Sequence, residues 1–389
     1  MPAVNSLVTD AIDPPIAEAQ SWIAGRKFPA EKPLLDMAQA VPSYPPAEAL
    51  RQHLAERVMS FEAAQYTAIR GIMPLRAALA AHMSGVYGGS IAADNVQITA
   101  GCNQAFCLAV LALAKAGDEI LLPVPYYFNH QMWLEMQGIE AVHLPFRADR
   151  AGVPDPAEAA TLITGRTRAI VLVSPNNPTG TVYPPEVLAQ FRDLAADRGI
   201  ALILDETYKD FLAPGTPPHD LFRDERWGET LVQLFSFSKS FSLTGYRVGS
   251  VISGPAMIDA VAKIMDTVSI CAARIAQDAA LYGLENLSDW VADRRRETAE
   301  RRHALEEIFR ANDLGYELIS SGAFFAYVRH PFAGETGHAV ARRLADEANI
   351  LCLPGSFFGP GQEQCLRFAF ANLEADRMGD LANRLRDGI

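Results

Sequence analysis

Residues 169–180 read Ala-Ile-Val-Leu-Val-Ser-Pro-Asn-Asn-Pro-Thr-Gly: five consecutive apolar residues that break at Ser174 into a turn built from proline, asparagine and glycine. A short apolar run bounded by such turn formers is the pattern of a strand buried on both faces, as in a parallel sheet covered by helices. The pattern recurs twice downstream. Ile200–Leu204 runs into Asp205-Glu-Thr-Tyr208, and Leu231–Phe235 runs into Ser236-Phe-Ser-Lys-Ser240. Ligands of open α/β sheets collect outside the carboxyl ends of the strands, so three polar clusters at three such ends predict one crevice that all of them line.

Outward from this core, Val96–Thr99, Glu119–Leu122, Glu140–Leu144 and Arg247–Ile252 are further strand-like runs, alternating with amphipathic segments. This alternation predicts an α/β fold: a large domain over residues 46–290 with a mainly parallel sheet flanked by helices. Residues 1–45 carry prolines at 14, 15, 29, 33, 42 and 45 and read as an irregular arm over the surface or a partner. Asp289–Asn312, rich in Arg, Glu and Ala without Gly or Pro, reads as a long helix into a smaller α+β domain. Residues 1–45 and 291–389 make up that second unit, with strands expected at Phe324–Val328, Ile350–Leu353 and Cys365–Phe370.

Composition narrows the function. A chain of 389 residues exceeds the usual single domain. Its net charge of −12 opposes a nucleic-acid partner, because phosphate backbones call for basic patches. Five cysteines without a CxxC pair, at 102, 107, 271, 352 and 365, argue against a disulfide framework or a zinc site and for a reduced, cytoplasmic setting. The eight histidines show no paired spacing and read as surface or core residues, so no metal is expected. The first residues lack the basic-then-apolar order of a secretory signal, and the apolar run Ala105–Ala114 is too short to span a bilayer. Neither GxGxxG nor GxxxxGK[ST] occurs.

Taken together the motifs resemble those of the fold type I, pyridoxal-phosphate-dependent aminotransferases of class I/II, the aspartate and kynurenine aminotransferase group. The landmarks are YTxxxG with PLR at Tyr66–Arg76, TAGCNQA at Thr99–Ala105, PVPYY at Pro123–Tyr127, then SPNNPTG, DETY, SFSKSF with Arg247 eight residues after Lys239, and LRF at Leu366–Phe368. The resemblance spans nearly the whole chain. It implies a Schiff base between Lys239 and pyridoxal 5′-phosphate, and a ping-pong exchange of an amino group between an L-amino acid and a 2-oxo acid.

The remaining roles follow from the parts of that cofactor. Asp205 sits at the position that holds the ring nitrogen protonated, and Tyr208 and Asn177 at those that donate to the phenolate oxygen. Ser236, Ser238 and Arg247, with Gly101, Cys102 and Asn103 at a helix start, are assigned to the phosphate. Tyr127 is placed to stack on the ring. Tyr66 resembles the tyrosine that crosses to a partner's phosphate, which implies a homodimer with shared active sites. Arg367 occupies the α-carboxylate position, where a planar fork pairs with two oxygens and where a buried guanidinium calls for a counter-ion. Ala40 stands where relatives bring a glycine amide to the substrate.

Two rival functions use the same fold: a carbon–sulfur β-lyase with the same cofactor grip, and an effector-binding regulator, which the absence of a helix-turn-helix pattern opposes. The amino donor stays open between a dicarboxylate, with Arg274 as the extra cation, and an aromatic or sulfur-containing side chain near Tyr126, Phe128 and Phe324.

Overall fold

The computed structural model describes residues 2–213, 215–311 and 314–387. Its first strand, β1 (Leu35–Asp36), is followed by β2 (Val96–Thr99), β3 (Glu119–Pro123), β4 (Glu140–Leu144), β5 (Thr167–Val173), β6 (Ala201–Asp205), β7 (Leu231–Ser236) and β8 (Gly249–Ile252). The last seven form one sheet in the order β2-β8-β7-β6-β5-β3-β4. β3 to β7 pair in parallel, while β8 runs antiparallel to both of its neighbours. The sheet is therefore mixed at one edge. Between β7 and β8 the chain forms only the turn of helix Phe237–Ser240 and a short 3-10 turn, Thr244–Tyr246. A parallel return needs a longer crossover, usually a full helix.

β6 and β7 are buried along their whole length, including Gln233 of β7, whose amide donates to Glu206. One hydrophobic core extends from Ala47 to Leu287 around this sheet. Beyond the helix Ser288–Ala311 come β9 (Glu317–Gly322), β10 (Phe325–Arg329), β11 (Ile350–Leu351), β12 (Leu353–Pro354) and β13 (Cys365–Phe368). An antiparallel sheet in the order β12-β13-β10-β9 holds four of them. Asn312, expected at the end of the long helix, lies outside the described residues.

Three expectations need correction here. Residues 1–45 are not simply irregular: they form helices Ser6–Thr9 and Pro15–Ser21 and strand β1, which pairs in parallel with β11. Ala19, Trp22, Leu35, Met37 and Ala38 enter a second core with Leu305, Phe368 and Leu385. The run Ile350–Leu353 is not one strand but two, split at Cys352, one half serving β1 and the other β13. β9 was not anticipated, because its residues are mostly half-buried and show no period of two.

The two cores meet at a third cluster that includes Ala40, Tyr208, Phe324, Phe325 and Ala369. The approach there is close: a Cβ on Gly180, whose φ is +73°, would lie 2.4 Å from the Gly322 amide nitrogen, so only glycine lets the turn after β5 touch the β9–β10 hairpin. That seam places the carboxyl ends of β5, β6 and β7 against residues of the second sheet. Among the described residues no helix is long and apolar enough to cross a membrane.

Candidate active site

A cavity of about 500 Å³ opens at the seam, lined by Asp205, Tyr208, Ser236, Ser238, Lys239, Arg247, Asn177 and Arg367 among others. The lysine reaches it because β7 ends in a capped turn: the Ser236 hydroxyl accepts from the Ser238 amide at 3.2 Å, which starts the helical turn carrying Lys239. Its Nζ donates to the Ala40 carbonyl at 2.6 Å. Removal from water, and then the charges of Arg247 and Arg367, lower its pKa from 10.5 to about 7. A lysine of this kind is a free amine over much of the neutral range, the state needed to add to an aldehyde.

Asp205 ends β6 and is 5% exposed. Burial pushes its carboxyl up, but His130 and the Thr207 amide more than reverse this, and the group stays below the usual carboxylate range. The Thr207 N–H donates at 2.9 Å and His130 Nε2 lies 3.5 Å away. His130 belongs to the helix Phe128–Met136 and stacks on Phe106 at 3.9 Å, while its Nδ1 is buried without a hydrogen-bond partner. Reading the histidines as surface or core residues missed this one: it is in the core, yet it touches the site carboxylate. Its place three residues after Tyr127, in the first turn of the helix that leaves β3, is the signal that would have found it.

The anion end is built on backbone. Helix Cys102–Leu113 begins after Gly101, whose φ is +87°, with no side chain capping its first amides. A Cβ on Gly101 would stand 2.3 Å from Arg247 Nη2, so glycine is what admits the guanidinium beside the helix start. Arg247 Nη1 donates to the Thr244 carbonyl at 3.0 Å and reaches Ser238 Oγ at 3.5 Å. No carboxylate pairs with Arg247 among the described residues. Unpaired amides, a guanidinium and two serines suit a phosphate dianion. The Cys102 thiol is pushed well up by burial and by Asp205, so it offers no competing charge.

Arg367, on β13, is 1% exposed. The counter-ion that a buried guanidinium calls for is not supplied by a carboxylate among the described residues. Its Nη1 donates to Asn177 Oδ1 at 3.0 Å, Nη2 to the Ala38 carbonyl, and Nε has no partner. Phe325 and Phe358 rings flank it at 5.1 and 5.2 Å. Burial draws its pKa down to about 10, so it remains a cation at neutral pH. A buried cation held by carbonyls alone is the natural host for an incoming carboxylate. Because Asn177 Oδ1 is occupied, its NH2 is the group left to donate. The Tyr208 hydroxyl is pushed well above its ordinary value, chiefly by burial, and stays a protonated donor. Tyr127 accepts from Asn129 Nδ2 at 3.1 Å and lies at 3.5 Å from Asn103 Oδ1.

Not every expected residue converges. Tyr66 is 79% exposed and lines no part of the cavity in this chain. Arg274 is engaged with Asp278 at 3.1 Å and Glu62 at 3.4 Å, outside the cavity. Ala40 presents its carbonyl to Lys239. Of the aromatic residues proposed for a side-chain pocket, Phe128 lines the cavity, whereas Phe324 packs on Tyr208 and Phe211 and Tyr126 on His143.

This donor set fits pyridoxal 5′-phosphate part by part: an amine for the aldehyde, a carboxylate for the ring nitrogen, neutral donors for the phenolate, and a glycine-opened anion cradle. Comparison with known proteins points the same way. Residues 32–385 match the family described as aminotransferase class I and II. An aromatic aminotransferase of Arabidopsis thaliana is 31% identical over 386 residues, covering 97% of this chain and 93% of that protein. An aspartate aminotransferase of Thermotoga maritima is 29% identical over 358 residues, covering 91% of each. The solved structure of Thermus thermophilus aspartate aminotransferase with maleate superposes over 100% of both chains with a TM-score of 0.91 at 25% identity.

Proposed function

Because the chain belongs to the class I and II aminotransferases, pyridoxal 5′-phosphate enzymes that exchange amino groups between amino acids and 2-oxo acids, we propose that Lys239 is the residue that carries this reaction here. The observation that carries the assignment is an amine drawn down to about pKa 7 in the same cavity as a buried carboxylate and a buried guanidinium without a carboxylate partner. When bound, the coenzyme supplies an aldehyde for the lysine and a ring that takes up the electron pair left at the substrate Cα.

Each residue then has one task. Asp205, kept ionised by the Thr207 amide and His130, holds a proton on the ring nitrogen. Asn177 and Tyr208 donate to the phenolate oxygen. Gly101, Cys102 and Asn103 offer helix-start amides and Arg247, Ser236 and Ser238 offer side chains to the phosphate. Tyr127 covers the ring face. Arg367 grips the α-carboxylate, which orients the Cα–H bond, and Lys239 Nζ accepts that proton as the general base. The Ala40 carbonyl steadies the free amine.

The relatives are named as aspartate and aromatic aminotransferases, so the β-lyase alternative is not favoured. We further propose a cytoplasmic homodimer, with residues 46–290 as the coenzyme domain and residues 1–45 and 291–389 as the smaller unit. Met59, Phe61, Tyr66, Ile69 and Met73 form an exposed apolar series within one short stretch of chain. Such a patch is expected to be covered by a second copy, bringing Tyr66 to the partner's phosphate.

Two outcomes test these roles. Arg367→Lys keeps a charge but loses the fork, and kcat/KM falls on the order of 10²–10³, mainly through KM, as befits about 2–5 kcal/mol for a broken buried charge pair; steady-state kinetics reads it. Covalent attachment of the coenzyme to the apoprotein requires neutral Lys239. Its lowered pKa makes the attachment rate fall about tenfold per pH unit below pH 7 and level off above it. An unshifted lysine gives a rate still climbing towards pH 10, which stopped-flow absorbance distinguishes.

A further inference from the structure

Removing the groups already given tasks leaves one further wall of the cavity. Four of its members are apolar, Pro14, Ile16, Val41 and Phe128, and two are amides, Gln39 and Asn129. Pro14 and Ile16 come from the start of the N-terminal helix, which Ala19 and Trp22 anchor in the second core, so this wall is a fixed part of the fold. Asn129 is already engaged, since its Nδ2 donates to the Tyr127 hydroxyl at 3.1 Å.

The cationic side chains lining the cavity, among the described residues, are Lys239, Arg247 and Arg367. All three serve the coenzyme and the α-carboxylate. A substrate ending in a second carboxylate would bring a charge against a wall with no cation to receive it, an unfavourable burial. The arginines beside the exposed stretch around Tyr66 are already paired with acids of this chain. On the apolar face that carries Tyr66, Arg57 pairs with Glu62 and Asp278, Arg274 with the same two acids, and Arg70 with Asp259.

We propose, resting on the transaminase reading above, that both substrates of this enzyme are monocarboxylates with uncharged, largely apolar side chains. The amino donor carries an apolar side chain, of which phenylalanine and methionine are the probes used below, and the acceptor is an equally uncharged 2-oxo acid. The reaction that supplies this acceptor must therefore deliver a 2-oxo acid with no second acidic group.

The test follows single turnovers of the holoenzyme, reading the visible absorbance of the bound aldehyde as it converts to the amine form. Phenylalanine and methionine react with second-order constants about a hundredfold above those of aspartate and glutamate. In the return direction phenylpyruvate exceeds 2-oxoglutarate by a similar factor. Ile16→Arg, which places a cation on the wall, raises the aspartate-to-phenylalanine ratio at least about tenfold. Aspartate or glutamate reacting as fast as phenylalanine overturns this inference and leaves the transaminase standing. Failure of every amino acid to convert the bound aldehyde overturns both.

Discussion

Lys239→Ala lowers transamination by about 10⁴-fold or more while the variant still takes up pyridoxal 5′-phosphate. Two functions are lost together. The covalent anchor goes, and so does the only amine among the described residues that line the cavity, the proposed general base. General-base transfer alone is worth up to about 10⁴ in rate, and loss of the activated nucleophile adds to it. The coenzyme is retained because Arg247, Ser236, Ser238 and the helix start at Gly101 belong to other elements of the cavity. The fold is retained because Nζ makes one hydrogen bond, to Ala40. Equilibrium dialysis with the coenzyme and a steady-state assay separate the two effects. Turnover near the parent rate would remove Lys239 from the chemistry.

Asp205→Asn has nearly the same shape and volume as the parent and lowers kcat by about 10²–10³-fold, the scale for removing one preorganised electrostatic partner. The carboxylate sits at 5% exposure with an amide at 2.9 Å and an imidazole at 3.5 Å, an arrangement that keeps it anionic. An amide in its place offers no negative charge, so a protonated ring nitrogen loses its stabilising partner. Grip on the α-carboxylate is unaffected, because Arg367 is held separately by Asn177 and Ala38. KM therefore changes far less than kcat. A variant whose kcat is intact and whose KM alone rises would place Asp205 in binding rather than in ring electronics.

How much of this was legible in the sequence depended on the kind of signal. Long apolar runs are decided by burial alone, so the strands carrying Asn177, Asp205 and Lys239 were readable, as was the shared crevice that strand ends create. The antiparallel sense of β8 was not. It depends on how little helix lies between Ser236 and Gly249, which hydrophobic pattern does not report. Two-residue strands such as β1 and β11 have no period at all, and so the N-terminal segment looked irregular although Trp22 and Leu35 are core residues. His130 escaped because its partner, Asp205, is distant in sequence and the helix geometry brings them together. Arg367 lies in the cavity, but the groups that hold it there could not be read from the sequence. Backbone carbonyls leave no mark in sequence, and carbonyls rather than an acid receive it.

The central claim is a covalent one, and reduction of the coenzyme-saturated protein with borohydride addresses it directly. Peptide mapping by mass spectrometry is expected to find a single phosphopyridoxyl adduct on the peptide containing Lys239. An adduct on another lysine, or none on this peptide at full coenzyme occupancy, would contradict the account.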